Sequence, residues 1–122
     1  ASQEYQDLTN NDMHVINAIG IGTTKNMSSI AKELSVTVGT LTISMNSLVK
    51  KGYVIRCRST QDRRVVHISL SEKGVKAYYH HKHFHEQMIQ GVVGVLTEEE
   101  LQALIKALTK LNSWFRSFGE DE

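Results

Sequence analysis

Apolar positions in the first half of the chain recur with the spacing of α-helices. The segment LTNNDMHVINAIG places Met13, Ile16 and Ile19 on one helical face, and Thr9 precedes Asp12 by three residues, which predicts a capping box at the helix start. SSIAKELS predicts a second, short helix, and VTVGTLTISMNSLVKKGY predicts a third that ends at its glycine. Because only a few residues join these last two, the pattern predicts a helix-turn-helix.

The spacing of apolar residues then changes to that of β-strands. VIRCRS alternates, with Ile55 and Cys57 on one side and Arg56 and Arg58 on the other, and VVHISL alternates about Ile68. TQDRR separates the two segments, so we expect a hairpin with a charged tip, and a hairpin directly after a helix-turn-helix makes a winged helix. We expect Cys57 to point inward with Ile55, where a buried thiol is inert and no redox switch forms.

The last third of the chain predicts two further helices. Ser71 is a suitable N-cap for a helix that runs to about Gly94, and Thr97 with Glu100 predicts a capping box for the final helix. The final helix carries one apolar stripe, formed by Leu101, Leu104, Ile105, Leu108, Leu111, Phe115 and Phe118. A single small domain cannot easily cover so long a stripe, and we therefore expect a homodimer; the alternative is that the stripe packs only on its own domain.

These elements predict a mainly α fold with a small β-hairpin. A winged helix-turn-helix domain would occupy residues 8–76, and C-terminal dimerisation helices would occupy residues 77–118. With 122 residues, 40% of them apolar, the chain is long enough to form one domain with one hydrophobic core. It has one cysteine, no apolar run of membrane-spanning length and no charged leader, so we expect a cytoplasmic protein without a membrane partner.

Charge is unevenly distributed, although the net charge is only +1. From Lys50 to Lys76 there are eight basic and two acidic residues, a balance of +6, whereas from Thr97 onward six acidic residues outnumber three basic ones, a balance of −3. The central segment is therefore suited to an anionic partner.

Short polar side chains on the third helix and basic groups on the hairpin are what a winged helix needs to read DNA. The candidates on the helix are Thr37, Gly39, Thr40, Thr42, Ser44 and Ser47, and those on the wing are Arg58, Gln61, Asp62, Arg63 and Arg64. We predict a double-stranded DNA operator as the partner. A winged helix that contacts proteins would instead expose apolar residues on this helix. We expect no enzyme, because no nucleophile, base and orienting group can be assembled and no phosphate-binding loop is found.

The segment DRRVVHISLSEKG, which follows KKGYV, resembles the wing of the MarR family of bacterial winged-helix transcriptional regulators. The matching positions are Asp62, Arg64, Leu70, Ser71 and Gly74. The resemblance extends over nearly the full chain. It implies a regulator, most simply a repressor, in which Asp62 orders the wing and Arg64 enters the minor groove.

Within that family, TVGTLTISMNSLVKKGY and STQDRRVVHISL are most similar to the repressors of type II fatty acid synthesis in Gram-positive bacteria. Because that branch uses long-chain acyl groups on acyl carrier protein as co-repressors, the resemblance implies the same effector. Met13, Ile16, Met88 and Val92 are the candidates to line its pocket, unless all four are plain core. Members usually have a helix before the one at Leu8; the segment ASQEYQD offers none, and we expect the dimer to form on the C-terminal helices.

Four of the six histidines lie in YYHHKHFHEQ. His81 and His85 share the apolar side of the helix at a spacing that lets two imidazoles bind one metal ion, whereas the other two lie on the polar side. The resemblance adds that zinc-sensing members bind metal from this helix together with a histidine on the helix of His14. A zinc-responsive regulator using His14, His81 and His85, with Asp12 as a further candidate ligand, is therefore the alternative. Otherwise the inner pair forms hydrogen bonds near the ligand pocket.

Overall fold

The structure, a computed structural model, describes residues 5–120 and the side chains of residues 5–118. Its helices are α1 (Asn10–Ile19), α2 (Met27–Leu34), α3 (Val38–Lys51), α4 (Glu72–Val95) and α5 (Glu98–Glu120). Strands β1 (Val54–Arg58) and β2 (Val66–Leu70) form one antiparallel hairpin between α3 and α4. This order confirms the predicted mainly α fold with a winged helix-turn-helix. The chain forms two compact units, Ala1–His83 and Phe84–Glu122.

The predicted capping box at α1 is confirmed. The Thr9 hydroxyl accepts a hydrogen bond from the Asp12 backbone nitrogen, and the Asp12 carboxylate accepts one from the Thr9 nitrogen, each at 3.0 Å. Asp12 is also buried, and Lys51 at the end of α3 neutralises it across 3.0 Å. The same carboxylate therefore starts α1 and joins it to α3.

The core of the first unit lies where α1, α2, α3 and the hairpin meet. Its members are Val15, Ile16, Ala18, Ile19, Ile30, Ala31, Leu41, Met45, Leu48, Tyr53, Val54, Ile68 and Ala77. Tyr53 is fully buried and donates its hydroxyl proton to the Asp7 carboxylate at 2.7 Å. Burial and this carboxylate raise the pKa of Tyr53 well above its ordinary value, so the phenol remains a neutral donor.

The predicted orientation of β1 is wrong. Val54 is buried, whereas Ile55 is 46% exposed and Cys57 is exposed. Arg56 pairs with Ile68 in the hairpin register, and directly paired residues share a face of the sheet, so Arg56 lies on the side of the buried isoleucine. Tyr53 and Val54 enter the core directly after α3 ends, which turns the next residues the other way. The argument that burial makes the Cys57 thiol inert is therefore also wrong.

The start of α4 packs closely against Tyr53, the residue directly before β1. The Ser71 hydroxyl accepts a hydrogen bond from the Gly74 nitrogen at 3.1 Å, which confirms Ser71 as the N-cap. Gly74 is buried, and a Cβ atom placed there would lie 2.1 Å from the Tyr53 carbonyl oxygen. Only a residue without a side chain fits at this position.

The second unit contains the end of α4 and all of α5. Thr97 and Glu100 form the predicted capping box, with hydrogen bonds of 3.0 and 3.2 Å. The hydrogen bonds that Glu100 accepts from Thr97 hold the pKa of that carboxyl below its usual value. Six members of the apolar stripe on α5, from Leu104 to Phe118, are 38% to 62% exposed in the single chain. None of the helices within residues 5–120 has the length and apolar content needed to cross a lipid bilayer.

Candidate nucleic-acid interface

Helix α3 is the second helix of the helix-turn-helix, and several of its predicted DNA-contacting hydroxyls are engaged within the chain. Thr37 caps the helix by accepting from the Thr40 nitrogen at 3.1 Å, and its hydroxyl donates to the Thr40 hydroxyl at 2.9 Å. The Thr42 hydroxyl donates to a carbonyl one turn earlier at 2.8 Å. The Ser44 hydroxyl accepts from the Asn11 amide of α1 at 2.9 Å. DNA contact by these residues, and by Gly39 and Ser47, stays a prediction.

A different stripe of α3 lies most fully in solvent. Its residues recur at intervals of four, three and four positions: Gly39, Ile43, Asn46 and Lys50. Ile43 is 75% exposed, more than any other large apolar side chain on the helix. The sequence analysis included Gly39 but missed the other three residues of this stripe, because it looked for short side chains, mainly hydroxyl groups. The available signal was the buried set Leu41, Met45 and Leu48, since the stripe lies on the opposite side of the helix.

Exposed apolar residues on α3 were the feature expected of a winged helix that contacts proteins. Ile43 and Val38, which is 46% exposed, have this character. Apolar side chains also contact thymine methyl groups in the major groove, so their exposure does not decide between the two partners.

The wing tip holds one arginine in a fixed and exposed position. The Asp62 carboxylate accepts hydrogen bonds from Nε and Nη2 of Arg64 at 3.1 and 3.2 Å, and from the Arg64 backbone nitrogen at 3.0 Å. The side chain of Arg64 is nevertheless 91% exposed. These bonds from Arg64 hold the pKa of Asp62 below its usual value, so the Asp62 carboxylate stays charged at neutral pH and continues to bind Arg64. Asp62 thus holds the side chain of a neighbouring arginine at the wing tip.

The rest of the wing is ordered by its own polar groups. The Ser59 hydroxyl accepts from the nitrogens of Gln61 and Asp62 at 3.2 and 3.3 Å. Arg58 donates from Nη1 to the Arg63 carbonyl at 2.7 Å, which closes the loop from the strand side. The predicted wing residues are thus brought together at one tip.

Three of the four lysines between Lys50 and Lys76 have partners inside the protein. Lys51 pairs with Asp12, and Lys76 lies 3.7 Å from Glu72. Lys73 donates to a backbone carbonyl at 3.1 Å and lies 4.4 Å above the Tyr53 ring. Arg56, Arg58 and Arg64 also bond within the chain but stay exposed. Among the described residues of this segment, the exposed cations without such a partner are Lys50 and Arg63.

The four predicted effector-pocket residues divide between the two units. Ile16 is fully buried in the core of the first unit, and Met13 packs against that core. Met88 and Val92, in the second unit, are 50% and 44% exposed. A cleft of about 350 Å³ in the first unit has other lining residues: Asn11, His14, Val15, Glu33, Leu34, Val36, Thr40, Leu41 and Ser44. The acyl pocket stays a prediction.

The predicted metal ligands are not assembled into a site in the described residues. His14 is exposed on α1. Among residues 5–120, no three histidine, cysteine, aspartate or glutamate side chains are grouped so that they could hold a metal ion. The zinc hypothesis based on His14, His81 and His85 thus stays a prediction without support from geometry.

Known proteins with the same arrangement are transcriptional regulators. The family model for the transcriptional regulator SarA/Rot matches residues 1–79. The HTH-type regulator YwhA of Bacillus subtilis is 33% identical over 85 residues, which are 70% of this chain and 61% of YwhA, so the chain spans about three fifths of that relative.

Solved structures of similar regulators contain DNA. FabT of Streptococcus pneumoniae in complex with DNA is similar with a TM-score of 0.88 and 40% identity, over 97% of this chain and 82% of FabT. The MepR–DNA complex of Staphylococcus aureus gives a TM-score of 0.68 at 28% identity, over 92% of this chain and 83% of MepR.

These similarities agree with the wing motif and confirm the predicted resemblance to MarR-type regulators. They also confirm the prediction of a regulator rather than an enzyme. The chain belongs to the SarA/Rot family of DNA-binding transcriptional regulators and carries a MarR-like winged helix.

Proposed function

We propose that this protein is a repressor that binds a pseudo-palindromic operator in double-stranded DNA as a homodimer. The observation that carries the proposal is the wing tip, where Asp62 fixes the Arg64 guanidinium through two hydrogen bonds while 91% of that side chain stays exposed. A cation held in place but left in solvent is suited to the narrow minor groove or to a phosphate. The recognition helix α3 belongs to the same compact unit.

The second unit supports the homodimer. The stripe on α5 leaves large apolar side chains in water, with Leu108 56% and Phe115 62% exposed. Leaving so many apolar groups hydrated is unfavourable, and burial against the same stripe of a second copy would remove them from water. A two-fold symmetric pair would place two recognition helices about one turn of DNA apart, which matches a palindrome.

Selection from a random duplex library tests this proposal. We expect the purified protein to enrich a consensus with two-fold symmetry and half-sites centred about 10 base pairs apart. Sedimentation should give the mass of two chains, alone and on the selected duplex. Enrichment of no sequence, or of an asymmetric consensus bound by one chain, would contradict the proposal.

For the effector, we propose a long acyl chain carried on acyl carrier protein. The support is the resemblance of the recognition helix and wing to the repressors of fatty acid synthesis, together with the 40% identity to FabT over 97% of this chain. Met88 and Val92 are the stronger candidates to contact the chain because they are half exposed, whereas Ile16 is already fully packed in the core. A co-repressor must bind the DNA-binding conformation more tightly than the other conformation.

A gel-shift titration on the selected duplex tests the effector. Acyl carrier protein that carries a long acyl chain should tighten DNA binding by about tenfold, a typical coupling between two sites. The same carrier protein without an acyl chain should not change DNA binding. Met88→Glu should remove the response because it places a charge against the chain, and Gln87→Glu, the neighbouring control, should retain it. Equal responses to both carrier forms would reject this effector and leave operator binding standing.

A further inference from the structure

The most exposed face of the recognition helix is centred on Ile43. This side chain is 75% exposed, and it lies between Gly39 and Asn46 on the stripe opposite the buried Leu41 and Met45. Glycine on one side leaves room for a close approach of the backbone to a surface. An isoleucine at the centre of such a face gains free energy only when an apolar group covers it.

Asn46 presents a restricted hydrogen-bonding pattern. Arg56, on β1, donates from Nη1 to Oδ1 of Asn46 at 2.6 Å. Because a guanidinium has donors only, the amide atom that faces Arg56 must be the oxygen. The NH2 group of Asn46 is then left to meet a partner, and it can only donate.

The hydroxyl groups beside this stripe are less available. Thr42 donates back into its own helix, and Ser44 accepts from Asn11. Both contacts orient these side chains along the protein surface, whereas the Ile43 side chain has no comparable restraint among the contacts within the described chain. The face of α3 that is most available to contact bases is therefore the one centred on Ile43 and Asn46.

In the major groove, thymine presents a methyl group and guanine presents two acceptors, N7 and O6. Adenine needs an acceptor as well as a donor for a bidentate contact with asparagine, whereas the bond from Arg56 turns the Asn46 oxygen towards β1 and takes one of its two lone pairs. We propose that Ile43 packs on a thymine methyl group and that Asn46, held by Arg56, donates to guanine. The assignment rests on the proposed operator binding and specifies which residues discriminate between bases.

Replacing thymine by deoxyuridine in the selected duplex tests Ile43, because it removes only the methyl group. For each half-site in which this one thymine is replaced, wild-type protein should lose about fourfold in affinity, the effect of one buried methyl-sized group. Ile43→Ala should bind the thymine and uracil duplexes equally. Ile55→Ala, the same change on the outer face of β1, should keep the wild-type preference for thymine.

Failure of this assignment is distinguishable from failure of operator binding. If wild-type protein enriches no sequence, the proposed function fails and the assignment fails with it. If wild type binds its selected duplex tightly and no uracil replacement weakens it, the operator proposal stands and the role of Ile43 is overturned. Retention of thymine preference by Ile43→Ala would have the same consequence. Thermal melting followed by circular dichroism shows that each variant is folded.

The Asn46 contact is tested with pairs of duplexes that differ only in having guanine or adenine at one position. For each position, the protein's affinity for the guanine duplex is divided by its affinity for the adenine duplex. Arg56→Ala should lower this ratio at one position per half-site by about tenfold, because the freed Asn46 oxygen can now accept from adenine. The loss of a cation lowers affinity for both duplexes and cancels in the ratio. An unchanged ratio at every position in Arg56→Ala would overturn the role of Asn46.

Discussion

Replacing Gly74 by alanine is expected to lower the free energy of unfolding by about 3 kcal/mol or more. The added Cβ atom would lie 2.1 Å from the Tyr53 carbonyl oxygen, 3.1 Å from the Tyr53 carbonyl carbon and 3.2 Å from the Leu70 Cβ. Two of these atoms are backbone, so no rotamer change relieves the contact. Tyr53 is also fully buried, and moving it would disturb the core of the first unit.

Urea denaturation of wild type and of matched glycine variants measures this effect. Gly91→Ala makes the same change later in α4, where nothing lies within 4 Å of the added atom. It should leave stability unchanged or raise it by up to about 1 kcal/mol, the helix propensity difference between the two residues. A Gly74→Ala protein as stable as wild type would show that α4 does not pack this closely on Tyr53.

The helices and strands could be predicted because local signals for them coincide. Thr9 with Asp12 and Thr97 with Glu100 are reciprocal capping pairs at correct spacing, and both form in the structure. Ser71 and the wing pair of Asp62 and Arg64 likewise act within three residues of their partners. Contacts of this range depend on sequence spacing alone, so the sequence specifies them directly.

The predictions of side-chain orientation were wrong where the orientation depends on contacts between distant segments. The pattern of Ile55 and Cys57 alternating with arginines favoured the wrong face of β1, because the orientation is set by Tyr53 entering the core rather than by the strand itself. Arg56 lies on the core side of the hairpin and reaches Asn46 of α3, ten residues earlier. No local spacing rule connects those two side chains.

The charge balance was informative about the region but not about individual residues. Lys51 and Asp12 are 39 positions apart in the sequence, and only the packing of α3 on α1 makes them partners. A count of charges therefore overstated the number of cations available to DNA. The bonds that orient Ser44 and Thr42 were similarly invisible before the helices were placed.

Replacing Arg64 by alanine is expected to weaken binding to all duplexes by about tenfold or more. The change removes one exposed, preorganised cation from each wing of the proposed dimer. Because each phosphate-neutralising cation releases counterions, the slope of log affinity against log salt concentration should become shallower by about 2. Discrimination between bases in the major groove should remain, since Arg64 is not on α3. Gel shifts over a range of salt concentrations measure both quantities.

Two further variants separate the charge of Arg64 from its placement. Asp62→Ala retains the cation and removes the carboxylate that holds it, so we expect weaker binding with a salt slope close to that of wild type. Lys76→Ala removes the same charge at a site paired with Glu72 on α4, and its affinity should stay within about twofold of wild type. If Arg64→Ala keeps both the affinity and the salt slope of wild type, the wing does not contact DNA through this residue. If Lys76→Ala loses as much as Arg64→Ala, net charge rather than the ordered wing tip accounts for binding.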